Sequence, residues 1–220
     1  MNKNKNVIID NVILHKNKAL IRLDISFFKH IEVEEYKKSD LLAYWIHDFA
    51  VYHDEETSFD ISKSGFFSRG DIIKVNLGFN IGNELGGLHY CVVLNKYDNV
   101  RNGTLNVVPL TSRKINKKYD YYTVNLGNEL YNKLQVKLKK EKEKIYSRQS
   151  ELNIIEKEKV YIEKMEKEIS KMKEDSIALI NQITTISKQR IFKDVLRENV
   201  KLSSGSLNLI DAQIIKYFTK

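Results

Sequence analysis

The alternation of apolar and polar positions divides the chain into stretches of different character. Three short runs, Ile72–Leu77, Tyr90–Leu94 and Leu105–Leu110, are β-branched or aromatic and bounded by Gly, Asn or Asp, which predicts three strands of a small antiparallel sheet. Asn102-Gly103 tolerates positive φ at both positions and is expected to close a hairpin between the second and third runs. Between the first two lies Gly78–Leu88, rich in Gly and Asn, with one acid, Glu84, and His89 just after it. Upstream, residues 1 to about 34 carry the clusters Val7–Ile9, Val12–Leu14, Ala19–Leu23 and Ile25–Phe28, which fit a hairpin or a packed arm. From Glu34 the pattern turns helical: Ser39 is the expected N-cap, and Leu41, Leu42, Trp45, Ile46 and Phe49 share a face. That stripe needs an acceptor, either the sheet that begins at Arg69 or a second subunit. Thr57–Gly65 reads as the connection into the sheet.

From Glu129 to Glu174 there is no Gly or Pro, Lys and Glu are dense, and apolar residues from Tyr131 and Leu134 to Ile169 and Met172 recur at threes, fours and sevens, the signature of a coiled coil. One straight helix of this length would reach about 70 Å and could not return to the same sheet. An antiparallel helical hairpin turning near Ser147–Asn153 is therefore expected, with a continuous helix and strands swapped into a partner as the alternative. Ile177, Leu179 and Ile183 alternate as on a strand. Ser203-Ser204-Gly205 is a break, after which Ser206 is expected to cap a last helix carrying Leu207, Ile210, Ile214 and Phe218. The predicted organisation is an N-terminal extension (1–65), a sheet domain (66–128 and 175–220) and a helical insertion (129–174).

A chain of 220 residues that is 42% hydrophobic can bury a real core. No run approaches a membrane span, and MNKNKNVIID lacks a signal-peptide hydrophobic region, so no membrane association and a cytoplasmic location are expected. Cys91 is the one cysteine and sits in an apolar strand, which excludes intrachain disulfides and multi-cysteine metal sites. A net charge of +8 suits a polyanionic partner, RNA or DNA first, although 37 basic against 29 acidic residues fits a Lys-rich proteome equally well. His47 and His53, near Asp48, Asp54 and Glu55, raise the question of a metal. Six helical positions rotate through roughly 600°, which leaves the two imidazoles on different faces, so solvated helix-end histidines are expected. Ser112-Arg113-Lys114, Lys117-Lys118 and Tyr119, Tyr121 and Tyr122 interleave cations with rings, as single-stranded nucleic acid requires; the competing reading is an exposed loop leading into a strand.

Arg69-Gly70-Asp71, the strand after it, Gly82-Asn83-Glu84-Leu85-Gly86-Gly87, Val92-Val93-Leu94 and Val108-Pro109-Leu110-Thr111 together resemble the MazF/PemK family of bacterial toxins, which are ribosome-independent, metal-free endoribonucleases. Asp175–Ile191 is similar to a later strand of that family and the turn after it. The resemblance covers Arg69 to about Leu126 and Asp175 to the C-terminus. It implies an α+β fold: a small, curved antiparallel β-barrel, MazF/CcdB-like and SH3-like, with packed helices and the inserted antiparallel α-helical coiled-coil hairpin. It further implies a homodimer without cofactor or metal that cuts single-stranded RNA, such as mRNA, leaving 2′,3′-cyclic phosphate and 5′-OH ends, and a small acidic antitoxin whose tail occupies the RNA groove.

By the same resemblance the catalytic positions are His89, Thr111 and Glu84, and the RNA-binding positions are Asn83, Gly86, Gly87, Ser112, Arg113, Lys114 and Gln182. The chain departs from the family at two of its motif positions, with His89 where the family has arginine and Tyr90 where it has proline. Histidine can take or give a proton near neutral pH, but it lacks the bidentate phosphate fork that Arg113 or Lys114 would have to replace. Three other readings stay open: a catalytically silent RNA- or protein-binding module working through its coiled coil, a CcdB-like gyrase poison, and a built-in regulator formed by the N-terminal helix or the coiled coil.

Overall fold

The computed structural model describes residues 2–114, 118–119, 121–147, 152–172, 175–192 and 200–219. The chain divides into two compact units, Met1–Glu55 and Glu56–Lys220.

The first unit is two helices, α1 (Asn2–Glu32) and α2 (Tyr36–Glu55). The clusters of residues 1–34 thus form one helix rather than a hairpin: Val7, Leu14, Ile21 and Phe28 recur every seven residues, close to two helical turns, despite the β-branched side chains among them. Glu34, at φ 59, turns the chain between the helices. Ser39 is not the N-cap expected of it. The amides of Lys38 and Ser39 donate to the Glu35 carbonyl at 2.9 and 3.1 Å, so α2 starts a turn earlier and Ser39 is buried within it.

In the second unit six strands form one antiparallel sheet: β1 (Ile72–Asn76), β2 (Leu88–Val93), β3 (Thr104–Ser112), β4 (Thr123–Gly127), β5 (Ser176–Leu179) and β6 (Thr184–Ser187). The path runs β1-β2-β3-β5-β4, with β6 also on β3. One edge of β3 pairs with β2; the other pairs with β6 over Thr104–Val107 and with β5 over Leu110–Ser112. Pro109, which has no N–H for a ladder, falls in the gap where one neighbour gives way to the other. The run expected as one strand through Ile183 is correspondingly broken, because a 3₁₀ turn at Ile180–Gln182 separates β5 from β6. The expected barrel is not closed. Among the described residues, the chain after β6 returns to the free edge of β1 through the isolated bridges Val75–Ile191 and Asp71–Lys201, without a ladder.

The β2–β3 connection also differs from a two-residue turn at Asn102-Gly103: it spans Leu94 to Gly103. Asp98 organises it. The Lys188 ammonium lies 2.8 Å from the Asp98 carboxylate, and both side chains are inaccessible to solvent. Asp98 also accepts from the Phe67 amide and from Asn102 Nδ2, so a satisfied internal pair sets the loop in place of turn propensity. Burial raises the Asp98 pKa, but the Lys188 ion pair and the amides outweigh it and hold the carboxyl below its usual range.

Between β4 and β5 the chain forms α3 (Glu129–Ser147) and α4 (Leu152–Lys171). Lys142 pairs with Glu166 at 2.5 Å, while Ile145, later in α3, lies by Tyr161 and Glu158, earlier in α4, so the helices are antiparallel. This is a helical hairpin whose connection lies outside the described residues. Its apolar stripe does not make a separate coiled-coil seam at the base: Leu134, Leu138, Met165 and Ile169 share a core with Val92, Val108, Val124 and Ala178 of the sheet. A heptad spacing therefore reflects two amphipathic helices packed on a sheet face.

The last helix, α5 (Ser204–Phe218), is capped by Ser203, whose hydroxyl accepts from the Ser206 amide at 3.2 Å, rather than by Ser206. Ser206 is occupied by Glu129, whose carboxylate also takes the Ser203 amide and hydroxyl and pairs with Lys133. Burial alone would raise the Glu129 pKa, but Lys133 and the two serines outweigh it and bring it to about 2.

Candidate active site

Strand alternation sorts the sheet into two faces. Ile72, Val92, Val108 and Leu110 pack on the helices, whereas Ile73, Val75, Cys91, Val93, Leu105, Val107 and Ile186 form a smaller core on the other side. His89 lies opposite Val75 in the β1–β2 ladder and belongs to this second face. The β2–β3 ladder pairs Cys91 with Pro109 and Val93 with Val107, and the same register continued by two residues sets His89 across from Thr111. Both are half-buried, at the end of the small core and on the face opposite the helical hairpin.

His89 Nδ1 is 3.1 Å from the Leu110 carbonyl. A carbonyl only accepts, so Nδ1 carries the hydrogen and the neutral ring presents Nε2 as its acceptor. Cys91, two residues on, is wholly buried, and burial pushes its thiol up to about 12, which makes it an inert core residue.

The β1–β2 connection is built tightly. Gly87 donates to the Gly78 carbonyl at 2.6 Å, Leu77 to Gly87 at 2.8 Å, and Asn80 Nδ2 to the Leu85 carbonyl at 2.7 Å. A Cβ on Gly86 would stand 2.6 Å from the Gly78 oxygen, so no larger residue fits without moving backbone. Gly87, at φ +85, supplies the left-handed conformation that closes the loop. Glu84 is exposed and turns back on its own loop, with Oε2 3.3 Å from the Ile81 amide. Among the described residues, no hydrogen bond or ion pair joins Glu84 to His89 or Thr111.

Gln182, in the 3₁₀ turn between β5 and β6, reaches this loop from across the sheet. Its Oε1 accepts the Leu85 amide at 3.0 Å and its Nε2 donates to the Asn83 carbonyl at 3.4 Å, so it grips the residues on both sides of Glu84. Ser112 ends β3, and Arg113 and Lys114 carry the chain out of the sheet; all three are exposed. The Arg113 amide bonds the Asp175 carbonyl and its guanidinium lies 3.4 Å from the Asp175 carboxylate. The Tyr119 hydroxyl accepts the Lys114 amide at 2.7 Å and donates to the Ser112 carbonyl at 3.4 Å. Lys117 lies outside the described residues. Tyr121 is exposed and stacks near Tyr122 and Tyr217.

Residues 68–148 match the model of a family described as the PemK-like, MazF-like toxin of type II toxin–antitoxin systems. The chain carries a PemK/MazF-like toxin domain. The matched stretch begins just before β1, contains the Glu84 loop, His89 and Thr111, and runs to the end of α3. No curated protein matches the chain. The toxin domain is accompanied by two N-terminal helices outside the matched residues.

The register thus sets His89 across from Thr111 at one end of one sheet face, with Ser112–Lys114 following Thr111 along the chain, and Gln182 is bonded to Asn83 and Leu85 on either side of Glu84. Sequence reasoning missed the braces: Asn80, Asp175 and the Tyr119 hydroxyl. Asn80 had a signal in the Asn-rich loop, whereas Asp175 reaches Arg113 only through β3–β5 pairing, which no local pattern announces. His47 and His53 lie on α2, His47 3.7 Å from Asp48 and His53 edge-on to Phe49, and among the described residues no group of three or more potential ligands gathers for a metal.

Proposed function

We propose that this protein is the toxin of a type II pair and acts as a metal-independent endoribonuclease on single-stranded RNA, with His89 as the general base. The observation that supports this reading is the 3.1 Å contact of His89 Nδ1 with the Leu110 carbonyl, which in the neutral ring leaves Nε2 as the acceptor. In the proposed reaction Nε2 takes the proton of the 2′-hydroxyl, the 2′-oxygen attacks phosphorus, and the bond to the 5′-oxygen breaks. The departing oxygen takes its proton from water, leaving 2′,3′-cyclic phosphate and 5′-OH ends. The Thr111 hydroxyl donates to the phosphoryl oxygens, and Arg113 and Lys114 supply positive charge in place of the family arginine. Asn83, Gly86, Gly87 and Ser112 border the strand's path as backbone and small-residue contacts, and Glu84 adds the carboxylate of the family site. A homodimer and a small acidic antitoxin complete the proposal, since a basic chain of net charge +8 complements an acidic tail.

A second reading rests on the departure at His89. Without the guanidinium fork the same face would bind RNA and leave it whole. Incubation of the purified chain with a long single-stranded RNA in EDTA separates the two. Discrete cuts with cyclic-phosphate ends, lowered at least a hundredfold in His89→Ala, are expected. Cleavage that is unchanged in both His89→Ala and Thr111→Ala refutes the assignment, and intact RNA with retained binding supports the silent module.

A further inference from the structure

Residues 6–55 contain no buried apolar side chain; the one buried residue is Ser39. Eleven large apolar side chains of α1, among them Val7, Ile8, Val12, Leu14, Leu20 and Ile21, are between 41% and 62% exposed. α2 adds Leu41, Tyr44, Phe49 and Val51. α1 has 31 residues and α2 has 20, so the N-terminal third of α1 extends beyond the reach of its own neighbour. Two helices without a core gain too little from intrahelical hydrogen bonds to persist in water, and a helix that is apolar on several sides is a helix with neighbours on several sides.

We propose that the α1–α2 hairpin is a self-association module through which two copies of this chain pair as a four-helix bundle. Two observations select a second copy over other occupants. The exposed apolar surface of α1 is on the order of 1,000 Å², comparable with the roughly 800 Å² per partner of a stable interface. Charge then excludes a polyanion: residues 1–55 hold eight Lys and Arg against nine Asp and Glu, a net charge of −1, while residues 56–220 carry +9. A surface for RNA or an anionic membrane would be basic. An interface of mixed, nearly balanced charge can meet its own copy across a two-fold axis without like-charge repulsion.

The test uses the full chain. Because the Cys91 thiol is buried and pushed up to about 12, Asn17→Cys introduces one reactive thiol on α1. Donor-labelled and acceptor-labelled populations are mixed and energy transfer is read alongside mass by light scattering. Transfer is expected, with a mass that is a multiple of 25.8 kDa. Adding Ile13→Glu with Leu20→Glu, both at exposed positions, should lower transfer and halve the mass, from two chains to one, or from four chains to two if the toxin domain also pairs. Leu14→Arg, read in the same way, guards against a misfolded double variant. Absent transfer in the parent, or transfer and mass unchanged in the variants, overturns the proposal.

Discussion

At the level of single residues, the side chains that matter most are those gripping something remote in sequence. Gln182 bonds backbone on both sides of Glu84, each bond contributing about 1 kcal/mol. Gln182→Ala should release the loop: amide exchange at Leu85 is expected to speed up about tenfold by mass spectrometry, with cleavage falling through kcat while RNA binding changes less. Unchanged exchange at Leu85 would remove Gln182 as the holder of the loop. Lys188 and Asp98 form a closed internal pair, so Lys188→Met alone, which strands a carboxylate, should cost roughly 3–5 kcal/mol in urea denaturation, and Asp98→Leu in the same chain should restore much of it. His89, Thr111 and Glu84 are singled out by the family resemblance, whose motifs are contiguous in sequence, and not by a local structural signal. The sequence left Lys188–Asp98 invisible, because two charges ninety residues apart carry no local mark of being neighbours.

At the level of elements, β1, β2 and β3 and the final helix follow from period-two and period-3.6 patterns, and the structure places them in those runs. The departures have identifiable causes. α1 is a helix because a seven-residue component runs through clusters that look β-prone piece by piece. Strand β5 stops short because its partner strand changes neighbours at Pro109. Glu129, at the start of α3, holds the first turn of α5, and this joint is sensitive to acid. With the folded pKa at about 2 against an ordinary 4.5, its contribution is complete above pH 4.5 and is lost as pH falls toward 2. Thermal melting across that window should therefore fall more steeply for the native chain than for Glu129→Gln. Parallel curves would show that the joint carries no net stability.

For the whole molecule, the helical hairpin lies on the sheet face away from His89 and Thr111, so it does not cover that pair. It does separate the sheet of the second unit into two stretches of sequence. The first ends in α3 and carries His89 and Thr111; the second begins at α4 and carries Gln182. These stretches are laced together by the β3–β5, β4–β5 and β3–β6 ladders and by a common core. A cut between the two helices would therefore leave a protein in two interlocked pieces, and the same pieces made separately should find one another. Co-expressed as residues 1–150 and 151–220, they are expected to co-purify and to regain any RNA cleavage that neither has alone. A fold with a seam of this kind can be kept inactive as halves and restored by mixing them.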